Sequence, residues 1–267
     1  MRDAKQKTAI VTGGSSGIGL ETAKALAAAG CRVYVVSRLD FAYEGLTHLR
    51  ADVTDSDAVR KAVESVAAEA GSVDILVNCA GSGISGAVEF TDDTDVRRQF
   101  DVNFFGMANM TRAVLPYMRR AGSGRIVNVS SVAAVAAIPF QAYYSASKAA
   151  INAYTCALAN EVRPYGVSVT AVMPGDVHTG FTDARKKSAA GDDAYGGRIT
   201  KSVAKMEADE RNGMTPEVVG AYIARIALRA SVKPLYAVGF SYKCACFLCD
   251  VLPCRPRNYL IGALYAK

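Results

Sequence analysis

The sequence predicts an α/β fold, a doubly wound parallel sheet of about seven strands in a single domain, and three observations carry that expectation. Short apolar runs rich in valine and isoleucine alternate with longer Ala-rich helical stretches. The first run is followed at once by a glycine-rich turn and a helix. With 267 residues, 51% hydrophobic and 21% charged, the chain can bury one large core.

Thr8 to Thr12 is the first strand, followed by Gly13-Gly-Ser-Ser-Gly-Ile-Gly19 and a helix from Leu20 to Ala29 closed by Gly30. The turn, with Gly13, Ser15, Ser16, Gly17, Ile18 and Gly19, sets backbone N–H groups and the positive end of the helix where a pyrophosphate can sit. Its Gly-x-x-x-Gly-x-Gly spacing differs from the usual Rossmann fingerprint. The same stretch contains Gly13-x-Ser15-x-Gly17, which matches the nucleophile elbow of serine hydrolases. A hydrolase needs an acid-placed histidine, and the chain has only His48 and His178; its elbow also follows a central strand, whereas this one follows the first.

Cys31 to Ser37 is the second strand, ending in Ser37-Arg38. A dinucleotide fold that selects NAD(H) places an acid there for the ribose, and an arginine there accommodates a 2′-phosphate. Ser37 in place of the acid, with Arg38 beside it, favours NADP(H); the alternative is a solvated loop arginine. Too few residues follow for a full crossover helix. The third strand is then Thr47 to Ala51, with Asp52-Val53 either at the adenine or, for Asp52, a turn carboxylate. Asp55 caps a helix from Ser56 to Ala70.

Val73 to Asn78 is a buried strand whose Asn78 can brace the sheet, while Ala80-Gly81 leaves room for a ribose. One long helix, about Asp92 to Arg120, carries Asn103, an asparagine among apolar neighbours that needs partners. Arg125 to Ser130 is the next strand, with Ser131 at the end where parallel sheets place their sites.

The helix from Gln141 to Arg163 stacks Tyr144 and Lys148 one turn apart on one face. A free phenol has a pKa near 10, and bringing it to about 7 takes about 4 kcal/mol. A nearby cation supplies about 1 to 3 of those pH units, so Lys148 and a charged nicotinamide together would make Tyr144 a general acid or base. Tyr143 points about 100° away and is the decoy. The alternative is a chance Tyr-x-x-x-Lys with a snorkelling lysine.

After a strand from Val167 to Val172 comes the loop Met173 to Thr179. Phe181 to Gly213 is long and polar, as substrate lids are. Within it Tyr195, Ile199, Val203 and Met206 recur at helical spacing, facing either the substrate or the core. Thr215-Pro-Glu217 opens a helix to about Ala230, and Leu235 to Val238 is the last strand. The catalytic domain is thus expected over 1–238, with the substrate loop at about 180–213, and a Cys-rich tail over 239–267. Cys244, Cys246, Cys249 and Cys254 lack the paired spacing of a zinc site, so a Cys-rich apolar helix competes with metal binding and no metal is expected. From Lys233 to Lys267 basic residues outnumber acidic ones five to one, with aromatics interleaved. Such a tail either rests on a membrane surface or walls an apolar pocket.

The net charge, 31 − 25 = +6, is scattered, which argues against nucleic-acid binding. The charged start, Met1 to Lys7, runs straight into a strand, so no secretory signal is expected. No apolar run reaches about 18 residues, the length of a transmembrane helix. Seven cysteines, several inside regular elements, suggest reduced thiols and a cytoplasmic location.

Taken together, Thr12-Gly-x-x-x-Gly17-Ile-Gly19, Asn78-Cys-Ala-Gly81, Asn103, Ser131, Tyr144-Ser-Ala-Ser-Lys148 and Pro174-Gly175 occur in the order and spacing of the short-chain dehydrogenase/reductase family, which the chain resembles over about residues 7 to 180. The resemblance implies a Rossmann-like homodimer or homotetramer. It also implies that Tyr144 exchanges a proton with a ketone or alcohol and Ser131 hydrogen-bonds the substrate oxygen. Lys148 would lower the Tyr144 pKa and hold the nicotinamide ribose, and Asn103 would position a water linking Lys148 to solvent. Thr179 matches a position that contacts the nicotinamide carboxamide, as Val177 does through its backbone. Cys79, where the family more often has asparagine, and the short link after Arg38 depart from the pattern. The tail resembles members acting on steroids, retinoids and other lipids. The expected activity is NADP(H)-dependent hydride transfer at a lipophilic, hydroxysteroid-like alcohol or ketone. The rival is a 3-oxoacyl thioester reductase, with Arg112, Arg119 and Arg120 receiving a carrier protein. A non-catalytic cofactor-binding regulator is opposed by the intact Ser131, Tyr144 and Lys148.

Overall fold

The computed structural model describes residues 6–266; Met1 to Lys5, most of the charged N-terminal segment, and Lys267 lie outside the described residues. Strand β1 (Thr8–Thr12) leads into helix α1 (Gly17–Ala28), then β2 (Arg32–Ser37), β3 (Leu46–Arg50), α2 (Ser56–Ala70) and β4 (Ile75–Asn78). The short β5 (Ile84–Ser85), α3 (Asp93–Phe100), α4 (Gly106–Ala121), β6 (Gly124–Val129), α5 (Ala142–Val162) and β7 (Val167–Met173) follow. The chain continues through α6 (Phe181–Ala184), β8 (Lys186–Lys187), α7 (Arg198–Arg211), α8 (Pro216–Leu228) and β9 (Leu235–Ala237) to α9 (Phe240–Val251) and α10 (Cys254–Tyr265).

Seven strands form one parallel sheet in the order β3-β2-β1-β4-β6-β7-β9. The chain starts in the middle, moves outward to β3, then reverses to β4, so the switch in winding direction falls between β1 and β4. Register aligns Thr12 with Val36 on one side and with Asn78 on the other, which brings three strand ends to one edge. Ligands of doubly wound sheets bind at that edge. Alternation along β2 divides the core: Val33 and Val35 pack with Leu26, Ile223 and Ile226 of α1 and α8. Tyr34 and Val36 pack on the other face with α2, α4 and α5 through Val63, Met110 and Leu158.

Several boundaries differ from the sequence reading. Helix α1 starts at Gly17 rather than Leu20, which places Gly17, Ile18 and Gly19 in its first turn, and β3 lies one residue earlier than expected. The expected single helix over 92–120 is α3 and α4 joined by a π turn at Asp101–Phe105. That wider turn buries Asn103, and such turns concentrate at functional positions.

The polar stretch 180–213 is more ordered than a flexible lid. Lys186 and Lys187 pair with Ile84 and Ser85, and Asp192 Oδ1 accepts from the N–H groups of Ile199 (2.9 Å) and Thr200 (3.2 Å) at the start of α7. Arg185 pairs with Glu210, which also accepts from the Thr182 hydroxyl at 2.7 Å. Of the apolar stripe, Ile199 and Met206 are buried while Tyr195 and Val203 are half-buried. In the tail, Cys246 and Cys249 are buried while Cys244 and Cys254 are exposed, so the four thiols do not converge. Arg257 Nη1 donates to the Cys249 carbonyl at 2.7 Å and ties α10 back to the end of α9.

Candidate active site

The glycine turn is shaped first by the protein's own backbone. A Cβ on Gly13 would lie 2.8 Å from Ala80 Cα, and one on Gly19 would lie 2.3 Å from the Gly13 carbonyl. Thr12 locks the same junction, its hydroxyl accepting from the N–H groups of Cys79 and Ala80, both at 3.0 Å. Ser16 leaves the first turn of α1 without a side-chain cap, and no acid stands there. Those N–H groups and the helix dipole therefore fit a pyrophosphate. Ser15 and Ile18 border them, half-buried, and Gly17 (φ +52°) faces Thr179 with a would-be Cβ at 3.5 Å.

At the end of β2, Ser37 is buried; its hydroxyl donates to the Leu39 carbonyl (3.0 Å) and lies 2.9 Å from His48 Nε2. Arg38 is 61% exposed, and the Asp52 carboxylate approaches it only to 4.0 Å. Asp52 accepts from both the backbone and the hydroxyl of Thr54 (2.9 and 2.8 Å), the turn role left open by the sequence. The Val53 side chain sits in the core against Gly106. An exposed cation beside a neutral serine fits a 2′-phosphate.

Asn78 braces the sheet: its Nδ2 donates to Asn128 Oδ1 (2.9 Å) and Thr111 Oγ1 (3.2 Å), and Asn128 passes the network to Thr155 at 2.9 Å. Its side chain is thus turned into the sheet and away from the cleft. Gly81 lies beside Asn103 and Lys148, since a Cβ on it would be 3.4 Å from Asn103 Oδ1 and 3.8 Å from Lys148 Nζ, and Ala80 precedes it. Asn103 holds Ser82 in both directions, accepting from its N–H at 2.8 Å and donating to its carbonyl at 3.0 Å, and also donates to the Ser147 hydroxyl at 3.1 Å.

Helix α5 brings Tyr144 and Lys148 together as expected, with Lys148 Nζ 5.7 Å from the Tyr144 ring centroid and donating to the Val129 carbonyl at 2.9 Å. Ser131 follows β6 with its hydroxyl accepting from Ala133 N–H (3.1 Å), whereas Ser130 is buried and donates to the Lys148 carbonyl. Tyr143 points instead to the Val88 carbonyl at 3.5 Å.

The electrostatics correct one expectation. Burial pushes the Tyr144 phenol up to about 12, opposed by the neighbouring Ser131 hydroxyl and by the charge of Arg185. Burial pulls Lys148 down to about 8. Packed in one dry slot, both groups are driven toward their neutral forms by desolvation, so the chain alone does not lower the Tyr144 pKa.

Beyond β7, the Pro174 carbonyl accepts from Val132 N–H at 2.9 Å. A Cβ on Gly175 would overlap the Tyr242 ring at 2.1 Å, and the Tyr242 hydroxyl donates to Asp176 Oδ2 (2.7 Å) while accepting from Asp176 N–H (3.0 Å). The Val177 side chain is buried, and its backbone bridges to Met214. Thr179 Oγ1 accepts from Phe181 N–H at 3.2 Å, and the Phe181 ring lies 5.9 Å from that of Tyr144. Sequence reasoning missed His48, Phe181, Arg185 and Tyr242 as neighbours of the site, because each arrives from a distant segment. It also missed Phe140, held at φ +60° and edge-on to Tyr195 at 5.8 Å. Thr12 had a signal, its place just before the glycine turn.

The family model for short chain dehydrogenases matches residues 7–190. A 3-ketodihydrosphingosine reductase of Bacteroides thetaiotaomicron is 44% identical over 241 residues, covering 87% of this chain and 90% of that protein. Among solved structures, a short-chain dehydrogenase from Streptomyces avermitilis is 31% identical with a TM-score of 0.79, covering 90% of each chain. A 3-ketoacyl-(acyl-carrier-protein) reductase from Brucella melitensis, solved with NADH, is 26% identical with a TM-score of 0.75, covering 88% of this chain and 98% of that one.

Proposed function

The chain belongs to the short-chain dehydrogenase family, a family of oxidoreductases, and from that premise we propose that it uses NADP(H) to reduce the 3-keto group of a long-chain lipid, 3-ketodihydrosphingosine being the leading substrate. The observation that carries this reading is a near-full-length match to a reductase of that ketone in a chain that gathers Ser131, Tyr144 and Lys148 at one strand end. The expected hydroxysteroid gives way to a long-chain ketone of the same lipophilic kind.

A bound reduced nicotinamide dinucleotide supplies the hydride for the carbonyl carbon. The turn from Gly13 to Gly19 and the start of α1 would hold its pyrophosphate, and Arg38 would meet the 2′-phosphate. Ala80, Gly81 and Lys148 would hold the nicotinamide ribose, and Pro174, Gly175, Val177 and Thr179 the nicotinamide end. The Ser131 hydroxyl donates a hydrogen bond to the substrate oxygen, and Tyr144 gives that oxygen its proton. A phenol at about 12 is fully protonated at neutral pH, the form that ketone reduction needs. Lys148, at about 8, is still mostly an ammonium at neutral pH and steadies the phenolate left behind. Asn103 fixes the backbone beside Lys148 along the route by which the proton is replaced. The active unit is a cytoplasmic homodimer or homotetramer, which light scattering would test.

Oxidation of NADPH by the purified protein, followed with 3-ketodihydrosphingosine, a steroid ketone and an acetoacetyl thioester, tests the assignment. The sphingoid ketone should be preferred in kcat/KM by about 100-fold, the scale on which an apolar pocket discriminates. A preference for the thioester would move the assignment to 3-oxoacyl reduction, and a preference for the steroid would restore a hydroxysteroid activity.

A further inference from the structure

Of the fourteen large apolar side chains exposed among the described residues, seven lie in α9 and α10. On α9 the pattern is regular. Phe240 (83% exposed), Cys244, Phe247 (67%) and Val251 (56%) recur at i, i+4, i+7 and i+11, and so share one outward face. The opposite face carries Tyr242, Cys246 and Cys249 into the protein. Helix α9 is therefore apolar on both sides, and only one side has a partner. Helix α10 buries none of its residues and adds exposed Tyr259, Leu260 and Leu264.

Charge selects the occupant of this surface. Lys243 and Arg255 are exposed beside it, and the segment from Lys233 carries five basic residues against one acidic residue, Asp250. A second copy docked about a two-fold axis would set this net-positive face against itself. An anionic lipid surface attracts them. No helix among the described residues is long and apolar enough to cross a membrane, so any contact with one is made from its surface.

We propose that the outward face of α9, with the adjoining start of α10, is an interfacial docking surface for an anionic bilayer, with Phe240, Phe247 and Val251 entering the acyl boundary and Lys243 and Arg255 meeting lipid phosphates. The surface is bolted to the cleft. Tyr242 clamps the loop at Gly175 and Asp176, Arg198 Nε donates to the Ala266 carbonyl at 2.7 Å, and Lys205 Nζ lies 5.5 Å from the Tyr265 ring centroid. Docking thus sets the Pro174–Asp176 loop and α7 next to the lipid. That this delivers a membrane-held ketone to Tyr144 rests on the proposed function; the docking itself does not.

Co-sedimentation of the full chain with vesicles, without dinucleotide or ketone, separates the two. The protein should pellet with phosphatidylglycerol-containing vesicles at low salt and much less with phosphatidylcholine alone. Each basic side chain near such a surface is worth about fivefold in partitioning, so Lys243→Glu with Arg255→Glu should weaken it at least about 25-fold. Phe247→Ser with Val251→Ser should abolish it with an unchanged melting midpoint and unchanged turnover of a water-soluble ketone. Absence of binding to the anionic vesicles, or equal binding by the Phe247/Val251 variant, overturns the proposal. A fall in the particle mass of that variant by light scattering also overturns it, by showing an interface between copies. Failure on the sphingoid ketone with vesicle binding intact would overturn only the substrate assignment.

Discussion

Replacing Lys148 with methionine should change how stability depends on pH, and burial fixes the direction. Lys148 is 6% exposed, and desolvation pulls its ammonium from 10.5 down to about 8. In the unfolded chain it returns to 10.5, so between about pH 8 and 10.5 the unfolded state binds more protons and wild-type stability rises with pH. At about 1.4 kcal/mol per pH unit the whole window is worth about 3 kcal/mol, and its lower part up to about pH 9.5 about 2 kcal/mol. Tyr144 shifts the other way, but its contribution is lost only above about pH 10. Urea unfolding of wild type and Lys148→Met, from about pH 7 to 9.5 without dinucleotide, reads the gap between them. The gap should move in favour of wild type by about 2 kcal/mol across that range, and a gap constant within about 0.5 kcal/mol would refute the reasoning.

Other perturbations probe the rest of the site. Arg38→Asp replaces the exposed cation at the end of β2 with a carboxylate and should weaken NADPH at least about tenfold while leaving NADH nearly unchanged; titration of both dinucleotides by fluorescence measures the ratio. Tyr242→Phe removes a donor from Asp176 Oδ2 and an acceptor from Asp176 N–H, a loss of about 1–3 kcal/mol, and should lower the melting midpoint and kcat/KM together. An unchanged kcat/KM would show that the clamp does not position the Pro174–Asp176 loop. Arg185→Met leaves Glu210 without its cation in a pair whose arginine side chain is 1% exposed, and calorimetry should find a loss of about 3–5 kcal/mol.

The parallel sheet was legible because its inner strands are short, largely apolar runs, and the glycine turn because only glycine tolerates the approach of Ala80 to Gly13 and of Gly13 to position 19. Tyr144 and Lys148 could be paired from sequence because one helix fixes their geometry. Four features could not. The π turn at Asp101–Phe105 adds one residue between two segments that are each helical and carries no breaker, so 92–120 reads as a single helix. The order of 180–213 comes from polar partners such as Arg185 with Glu210 and Asp192 with the start of α7, and polarity alone reads as a loop. The sign of the Tyr144 shift depends on how dry its slot is, and burial is a property of the packed chain. The Tyr242–Asp176 contact spans 66 residues and has no local signature.

The central claim is that the Tyr144 phenol is the proton donor, and Tyr144→Phe tests it most directly. Loss of a general acid costs about 10²- to 10⁴-fold, so ketone-dependent turnover should fall by about a thousandfold while the dissociation constant for NADPH stays within about twofold of wild type. Turnover within about tenfold of wild type, with NADPH binding intact, would contradict the account.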